Sequence, residues 1–213
     1  MRNRFDEQLS LLHEQLIEMG AQCEELIGLS VRALTLHDRA LAKTVAPLGA
    51  QVDRMERSIE SLCLNLLLRQ QPVAGDLRQV SAALKMITDM ERIGDQAEDI
   101  AEIVSLLGDR SPQDLSLLPE MARAVSAMVT ESVDAYVQGD LALARKVVSD
   151  DDAVDDLFLQ VRQRLTQLIA DNPAEGAAAL DLLMIAKYFE RIGDHAVNIA
   201  QWVAFSVTGV HEE

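Results

Sequence analysis

The pentapeptide Glu-Arg-Ile-Gly-Asp occurs at residues 91–95 and again, unchanged, at residues 190–194. After each copy the pattern Ala-x-x-Ile-Ala follows, at residues 97–101 and at 196–200. Both copies lie in stretches whose apolar residues recur at helical spacing. Chance is a poor explanation for an identical pentapeptide at matching places in two helices, so we infer an internal duplication.

Segments upstream of the pentapeptide extend the match. Ala-Leu-Ala-Lys at residues 40–43 corresponds to Ala-Leu-Ala-Arg at 142–145, an offset of 102 residues compared with 99 at the pentapeptide. The difference falls in the loop between the second and third predicted helices of each repeat. Residues 108–114 combine Gly, Pro, Asp and Ser and form the strongest linker candidate. We therefore predict two domains, residues 1–110 and residues 111–213.

Apolar residues recur at helical spacing along almost the whole chain, and prolines and glycines are few. The spacing predicts an all-α fold of six helices, arranged as two tandem, pseudo-symmetric three-helix bundles. The helices are expected at about residues 5–38, 50–70, 76–108, 119–139, 141–171 and 173–208. Pro47 to Gly49 predicts a break before the second helix, and Ser149 marks a possible break in the fifth. Asp76 is expected to cap the third helix and Asn172 the sixth.

The charge of the chain limits its partners. With 35 acidic and 19 basic residues, the formal net charge is −16. The basic surface of a nucleic-acid-binding protein is therefore not expected. Anionic lipid surfaces are repelled, so membrane contact should go through protein partners. A cation is the natural small partner, although acidic surfaces also serve solubility alone.

Cys23 and Cys63 are the only cysteines, and both stand in apolar-periodic stretches. Without a CxxC motif or a Cys/His cluster, they are expected to be core thiols in a reducing compartment. The first seven residues enter a charged helical pattern directly, and no run of about 18 apolar residues follows. We expect a cytoplasmic protein.

Acidic residues follow one face of the third predicted helix. Because each residue advances by about 100°, Glu91, Asp95 and Asp99 fall within a sector of about 80°. Glu98 and Glu102 lie in or beside this sector. The apolar residues of the segment lie on the far side and should face the core: Ile93, Ala97, Ile100 and Val104.

The second copy repeats most of this arrangement. Glu190 and Asp194 are retained, while Asn198 occupies the third place. The preceding helix of each repeat adds a carboxylate, Asp53 in the first and Asp155 in the second. We refer to these two sets of acidic positions as the first and second carboxylate stripes.

Two energetically unfavourable features accompany both stripes. Like charges four residues apart repel by a few tenths of a kcal/mol. Gly94 and Gly193, in mid-helix, each cost about 1 kcal/mol compared with alanine. A hard cation would convert the repulsion into coordination, and glycine would let a helix or ligand approach closely. The alternative is a solvated acidic face relieved by Arg92 and Arg191, but the repetition of the motif favours metal.

The sequence motifs of this chain closely resemble those of the PhoU family. The paired pentapeptides are its hallmark. Residues 69–72, Arg-Gln-Gln-Pro, followed by Asp-Leu-Arg at 76–78, are similar to the family's signature between the second and third helices. Residues 193–200 are similar to its usual second-copy ending. The resemblance covers essentially the whole chain.

The resemblance implies a function that spacing does not supply. PhoU proteins are not enzymes but negative regulators of phosphate uptake and phosphate-starvation signalling. They are thought to link the ATPase subunit of the phosphate ABC transporter with a membrane sensor histidine kinase, so this chain is expected at the inner face of the membrane through its partners. Dimers are common in the family. Some members hold divalent or ferric ions, and iron, manganese, zinc and magnesium are the ions expected here.

The resemblance also assigns metal ligands. Carried over residue by residue, the ligands are Asp53, Glu91, Asp95, Asp155, Glu190 and Asp194, with Glu60, Asp99 and Asn198 as supporting positions. The chain departs from perfect symmetry, because Phe158 and Leu159 stand where the first repeat has Glu56 and Arg57. The second stripe is therefore expected to hold fewer or different ions.

The sequence is also compatible with two other functions. A carboxylate-bridged metalloenzyme would need an enclosed pocket and an acid–base group, and the sequence offers no nucleophile–base pair or phosphate-binding glycine loop. A metal-free helical scaffold would show no dependence of its melting temperature on metal.

Overall fold

The computed structural model describes residues 2–70, 72, 74–107 and 116–211. The helices within them are α1 (Arg2–Leu36), α2 (Arg39–Ala42), α3 (Val45–Gln70), α4 (Gly75–Leu107), α5 (Leu117–Gln138), α6 (Leu141–Asp171) and α7 (Gly176–Thr208). One 3-10 turn, Pro173–Glu175, precedes α7. Because α2 is a single turn, the six long helices of the predicted all-α fold are confirmed. Among the described residues, no helix is apolar over enough of its length to span a bilayer.

Several helix ends follow the sequence signals. Gly139, at φ 64°, ends α5 in the left-handed region that glycine tolerates. The Asp140 carboxylate accepts a hydrogen bond from the Leu143 amide at 3.0 Å and so caps α6. Asn172 accepts from the amide of Ala174 at 3.3 Å and so caps the 3-10 turn that leads into α7, rather than α7 itself.

Three predictions about helix ends are wrong. α3 already begins at Val45, so Pro47 lies in its first turn, where its missing N–H leaves no hydrogen bond unmade. The chain turns earlier, after α2. Asp76 lies inside the first turn of α4 and does not cap it, although a carboxylate there still favours the helix dipole. α6 runs unbroken through Ser149, whose hydroxyl donates to the Lys146 carbonyl at 2.9 Å.

The helices group as two bundles, α1, α3 and α4 in the first repeat and α5, α6 and α7 in the second. The predicted tandem three-helix architecture is therefore confirmed. The buried core extends through both bundles. Ile93, Ile100 and their counterparts Ile192 and Ile199 are fully buried, as the helical periodicity predicts. The predicted linker, residues 108–114, lies outside the described residues, and the domain boundary stays a prediction.

α4 and α7 pack against each other in antiparallel fashion. Arg78, near the start of α4, donates through Nε to the carbonyl of Ser206, near the end of α7, at 3.3 Å. Farther along α4, Asp99 lies close to Tyr188, which is nearer the start of α7. This pairing places the third helix of each repeat at the junction of the two bundles.

The mid-helix glycines allow the second and third helices of each repeat to approach closely. A Cβ at Gly94 would lie 3.3 Å from Cγ1 of Val52, and one at Gly193 would lie 3.6 Å from Cγ1 of Val154. The predicted close approach of a neighbouring helix is confirmed in both bundles.

The cysteines are core thiols, as predicted. Cys23 and Cys63 are both free and buried. Burial raises the pKa of each to about 12, so neither is a reactive thiolate at neutral pH.

Candidate metal site

The first carboxylate stripe brings three predicted ligands together. Asp53 reaches from α3, and Glu91 and Asp95 from α4. One carboxylate oxygen of each lies within 4.8 Å of the other two, and all three residues are half-buried. Oxygens bound to one hard cation at about 2.0–2.6 Å must lie a few ångströms apart, so this spacing suits a metal ion.

Negative charge at this site is only partly balanced. Burial raises the pKa of Glu91; the charge of Asp95 raises it further, as do those of Asp53 and Glu56, and these effects outweigh the lowering by Arg92. The Arg92 guanidinium lies 3.1 Å from Asp95 and 3.5 Å from Glu91, but its side chain is 56% exposed. Water therefore screens this cation, and a centrally placed cation would stabilise the carboxylates more strongly.

Glu98 lies beside the cluster and was not among the predicted ligands. Its carboxyl group occupies the space that a side chain on Gly49 of α3 would fill. Burial raises the pKa of Glu98, and the charges of Asp53, Asp95 and Asp99 raise it further. Glu98 also lines a cavity of about 390 Å³ next to the turn between α2 and α3.

The supporting positions of the first stripe lie away from the three ligands. Asp99 faces α7, where the Tyr188 side chain lowers its pKa, but burial has the larger effect and raises the pKa of Asp99. Glu60 is exposed on α3, and its charge contributes to the raised pKa of Glu56. Neither residue belongs to the group of three oxygens defined by Asp53, Glu91 and Asp95.

The second carboxylate stripe is more open. Asp155 and Asp194 are exposed, and only Glu190 is half-buried. Among the described residues, these three do not form a group with oxygens as close as those of the first stripe. The Glu190 carboxylate instead accepts a hydrogen bond from the ammonium of Lys187.

The third position of the second stripe belongs to the junction between α4 and α7. The Asn198 side-chain amide donates to Asp89 Oδ1 at 3.1 Å, and His195 Nδ1 lies 2.9 Å from the same oxygen. Asp89 thus joins the two bundles. His195 is half-buried, at the edge of the core.

Sequence reasoning missed two charged residues of the second repeat. The Asp151 carboxylate oxygen would lie 3.0 Å from a Cβ on Gly193. Burial and the charges of Asp155, Asp194 and Asp152 raise its pKa to about 6. The other missed residue is Lys187. Both stand out once the repeats are aligned, because Gly49 and Thr88 occupy the matching positions.

Comparison with known families agrees with this architecture. The PhoU domain model matches the chain twice, over residues 16–104 and 118–203. The chain belongs to the PhoU family. A phosphate-specific transport system accessory protein PhoU homolog from Clostridium acetobutylicum is 32% identical over 210 residues, covering 98% of this chain and 96% of the relative. A protein of the same description from Pseudomonas aeruginosa is 33% identical over 208 residues, covering 97% of this chain and 86% of the relative.

Solved PhoU structures share the fold. The crystal structure of PhoU from Pseudomonas aeruginosa superposes with a TM-score of 0.91 at 33% identity, covering 97% of this chain and 100% of that chain. The phosphate transport system regulatory protein PhoU from Streptococcus pneumoniae superposes with a TM-score of 0.90, covering 98% of this chain and 99% of that chain. At 23% identity, the second comparison supports the fold alone.

The metal ions implied by the PhoU resemblance fit the two stripes unequally. Asp53, Glu91 and Asp95 supply three half-buried, converging oxygens, which is the donor set that hard cations prefer. In the second stripe two of the three carboxylates are exposed, and Glu190 already contacts an ammonium group. The residues therefore fit a metal ion at the first stripe and do not fit one at the second.

Proposed function

We propose that this PhoU-family chain is a non-enzymatic, negative regulator of phosphate uptake and phosphate-starvation signalling. It acts as an adaptor between the ATPase subunit of a phosphate ABC transporter and a sensor histidine kinase. The observation that carries the proposal is the extent of the match, because accessory proteins of phosphate-specific transport are 32% and 33% identical over nearly the whole chain. Similarity over both repeats supports a shared role better than similarity over one.

The proposal includes a metal ion at Asp53, Glu91 and Asp95, with iron, manganese, zinc and magnesium as the ions to test. The ion supplies positive charge that offsets the carboxylates. Because Asp53 belongs to α3 and the other two residues to α4, binding ties these helices together. A ligand that binds only the folded state stabilises it by mass action, so metal should raise the melting temperature.

We place the protein in the cytoplasm, at the inner face of the membrane through its protein partners. The net charge of −16 disfavours direct contact with anionic lipids. We also propose a homodimer, as the PhoU resemblance implies. Light scattering at several protein concentrations tests this assembly, and a monomer at every concentration would contradict it.

A groove between α1 and α5 supports the adaptor role. Its volume is about 860 Å³, and Ile27, Val31 and Ala122 contribute apolar lining. Gly28 also lines it, and a Cβ at that position would meet no atom within 4 Å. A groove of this kind accommodates the apolar face of a partner helix. We assign it to the transporter ATPase subunit.

The docking experiment fills the groove without disturbing the core. Gly28→Leu should weaken binding of the purified ATPase subunit by at least about tenfold, measured by titration calorimetry. Gly176→Leu is the matched control, since a Cβ there also meets no atom within 4 Å and the position lies outside the groove. Equal affinity of both variants would exclude the groove, and failure of the unaltered chain to bind would contradict the adaptor role.

The regulatory role requires a test in cells. In a host that lacks its own PhoU protein, this chain should repress a reporter gene that responds to phosphate scarcity. Glu91→Gln with Asp95→Asn should reduce the repression, whereas Glu190→Gln with Asp194→Asn should leave most of it intact. A chain that never restores repression would count against the proposed function. Equal effects of the two variants would count against the role of the first stripe.

The metalloenzyme alternative makes a different prediction. Purified protein with excess Mn²⁺ should release no inorganic phosphate from phosphomonoesters above the rate of a heat-denatured sample. Turnover that disappears in the Glu91→Gln variant would contradict a non-enzymatic role and favour a carboxylate-bridged hydrolase.

A further inference from the structure

Lys187 brings a positive charge to the second carboxylate stripe. It stands on α7, one turn before Glu190, and its ammonium forms an ion pair with that carboxylate. The same ammonium lies 5.5 Å from the centre of the Phe158 ring on α6. A cation over an aromatic face at this distance is attracted by the ring. The Glu190 side chain is 15% exposed and the Lys187 side chain 45% exposed, so water is kept mainly from the carboxylate end of the ion pair.

The first repeat has neither of these features. At the matching offsets of 99 and 102 residues, Thr88 stands in place of Lys187 and Glu56 in place of Phe158. Each exchange makes the second stripe less negative by one charge unit. Both glutamates have a cation nearby, but the Arg92 guanidinium is 3.5 Å from Glu91 on a side chain that is 56% exposed, and three carboxylates, Asp95, Asp53 and Glu56, also act on Glu91. Lys187 instead forms a close ion pair with Glu190.

We propose that Lys187 is a tethered cation that takes the place of a metal ion in the second repeat, so that this chain binds metal in its first repeat alone. The ammonium occupies a carboxylate that the PhoU resemblance assigns as a metal ligand. A divalent ion at Glu190 must displace this ammonium or lie beside it, and like charges a few ångströms apart repel each other. Glu190 is thereby withdrawn from the ligand set.

The other carboxylates of the second repeat do not replace it. Asp155 and Asp194 are exposed, so water solvates them without a metal ion. Asp151 lies close to Gly193 but does not bring its oxygen into a group with theirs as compact as that of the first stripe. Metal at Asp151, Asp155 and Asp194 is nevertheless a distinct outcome that the experiment must detect.

The test moves the lysine from the second repeat to the first by substitution. Mn²⁺ alone is the probe, in titration calorimetry and in elemental analysis of dialysed protein. Thr88→Lys places an ammonium three residues before Glu91, where Thr88 is exposed and lysine is a good helix former. Manganese affinity of the first repeat should fall at least about tenfold. Lys187→Thr combined with Phe158→Glu should add one bound ion to those of the unaltered chain.

Lys146→Thr is the matched control for the lysine part of the second exchange, Lys187→Thr. It removes one positive charge from the same repeat, but Lys146 pairs with Glu131 and Asp150, away from Glu190. It should leave the number of bound ions unchanged. Circular dichroism melting without metal checks that every variant is folded. Glu190→Gln added to the second exchange should remove the extra ion, which locates it.

The claim that metal binds in the first repeat rests on the proposed function. The outcomes distinguish failure of that metal site from failure of the tethered lysine. If the unaltered chain binds no manganese, the proposed first site fails, but a gain on Lys187→Thr with Phe158→Glu still supports the tethered lysine. No gain in that variant overturns it. The inference is also overturned if the unaltered chain binds ions that only Asp155→Asn or Asp194→Asn removes.

Discussion

The second helix of the C-terminal repeat, α6, is continuous from Leu141 to Asp171, whereas the matching stretch of the N-terminal repeat is divided into α2 and α3. Both stretches begin at an aspartate that caps them, Asp38 or Asp140. The cap and the buried face have been retained, while the path of the first turns has changed. Burial of the core has therefore been kept in both repeats, whereas a continuous second helix has been kept in only one.

The same stretches also differ in how a carboxylate reaches the facing helix. In the first repeat Glu98 of α4 occupies the space above Gly49 of α3, and in the second Asp151 of α6 approaches Gly193 of α7. The carboxylate belongs to the third helix in the first repeat and to the second helix in the second repeat. The two contacts lie about one turn apart, because Gly193 corresponds to Gly94 whereas Glu98 corresponds to Val197. A tight contact between two helices needs one small residue, but either helix can provide it.

The largest expected effect is the loss of unfolding free energy when equivalent core residues of the two repeats are truncated. Phe189 and Met90 are both completely buried. Phe189→Ala should reduce the free energy of unfolding by about 3–5 kcal/mol and Met90→Ala by about 2–5 kcal/mol, because each leaves a cavity. Urea denaturation followed by circular dichroism measures both values.

Since the buried core is continuous, each variant should shift a single transition. Two transitions, each moved by one variant only, would mean that the repeats unfold independently and would support the boundary between residues 110 and 111.

A smaller effect is expected at the glycine contact of the first repeat. In Gly49→Ala the new methyl group would lie 2.9 Å from Cγ of Glu98 and would overlap its carboxyl group. The Glu98 side chain must move, and because it is flexible and half-buried we expect a cost of at most about 1 kcal/mol in unfolding free energy, which offsets the helix preference of alanine. Adding Glu98→Val, which copies Val197 of the second repeat, should remove most of this cost.

Gly28→Ala is the control for this substitution. It also lies within a helix, but its methyl group would meet no atom within 4 Å. It should stabilise the protein by up to about 1 kcal/mol, because alanine favours the helix. If Gly49→Ala proved as stable as Gly28→Ala, the contact between Glu98 and α3 would not constrain the fold.

A similarly small effect is pH-dependent stability from Asp151. Its pKa in the folded protein, about 6, lies above the ordinary value of 3.8, so the folded state binds this proton more tightly than the unfolded state. The charged carboxylate therefore destabilises the fold above pH 6, and this cost disappears as the pH falls toward 4. Asp151 is partly exposed, and after screening by water we expect Asp151→Asn to add about 1 kcal/mol at pH 7.5.

Urea denaturation at pH 4 and at pH 7.5 checks this expectation. Asp156→Asn, at an exposed position on the same helix, controls for the general change in net charge. The gain from Asp151→Asn should be present at pH 7.5 and nearly absent at pH 4. A gain of equal size at both pH values would show that the raised pKa does not act on stability.

The sequence by itself determined the duplication, the six long helices and the residues that each helix buries. It also placed Glu91 and Asp95 on one face of α4. The reason is that helical periodicity fixes the angle of every side chain around its own axis. The sequence did not reveal that the chain turns after α2. Proline is compatible with the first turn of a helix as well as with a break, so Pro47 did not locate the turn.

Only the tertiary structure decided which of these faces meet. Periodicity does not set the rotation and the axial shift of one helix against another. The packing brings Asp53 to Glu91 and Asp95, turns Asp99 toward Tyr188, and leaves Asp155 and Asp194 exposed. Two stripes that look nearly alike in sequence therefore differ in burial and in the charges beside them.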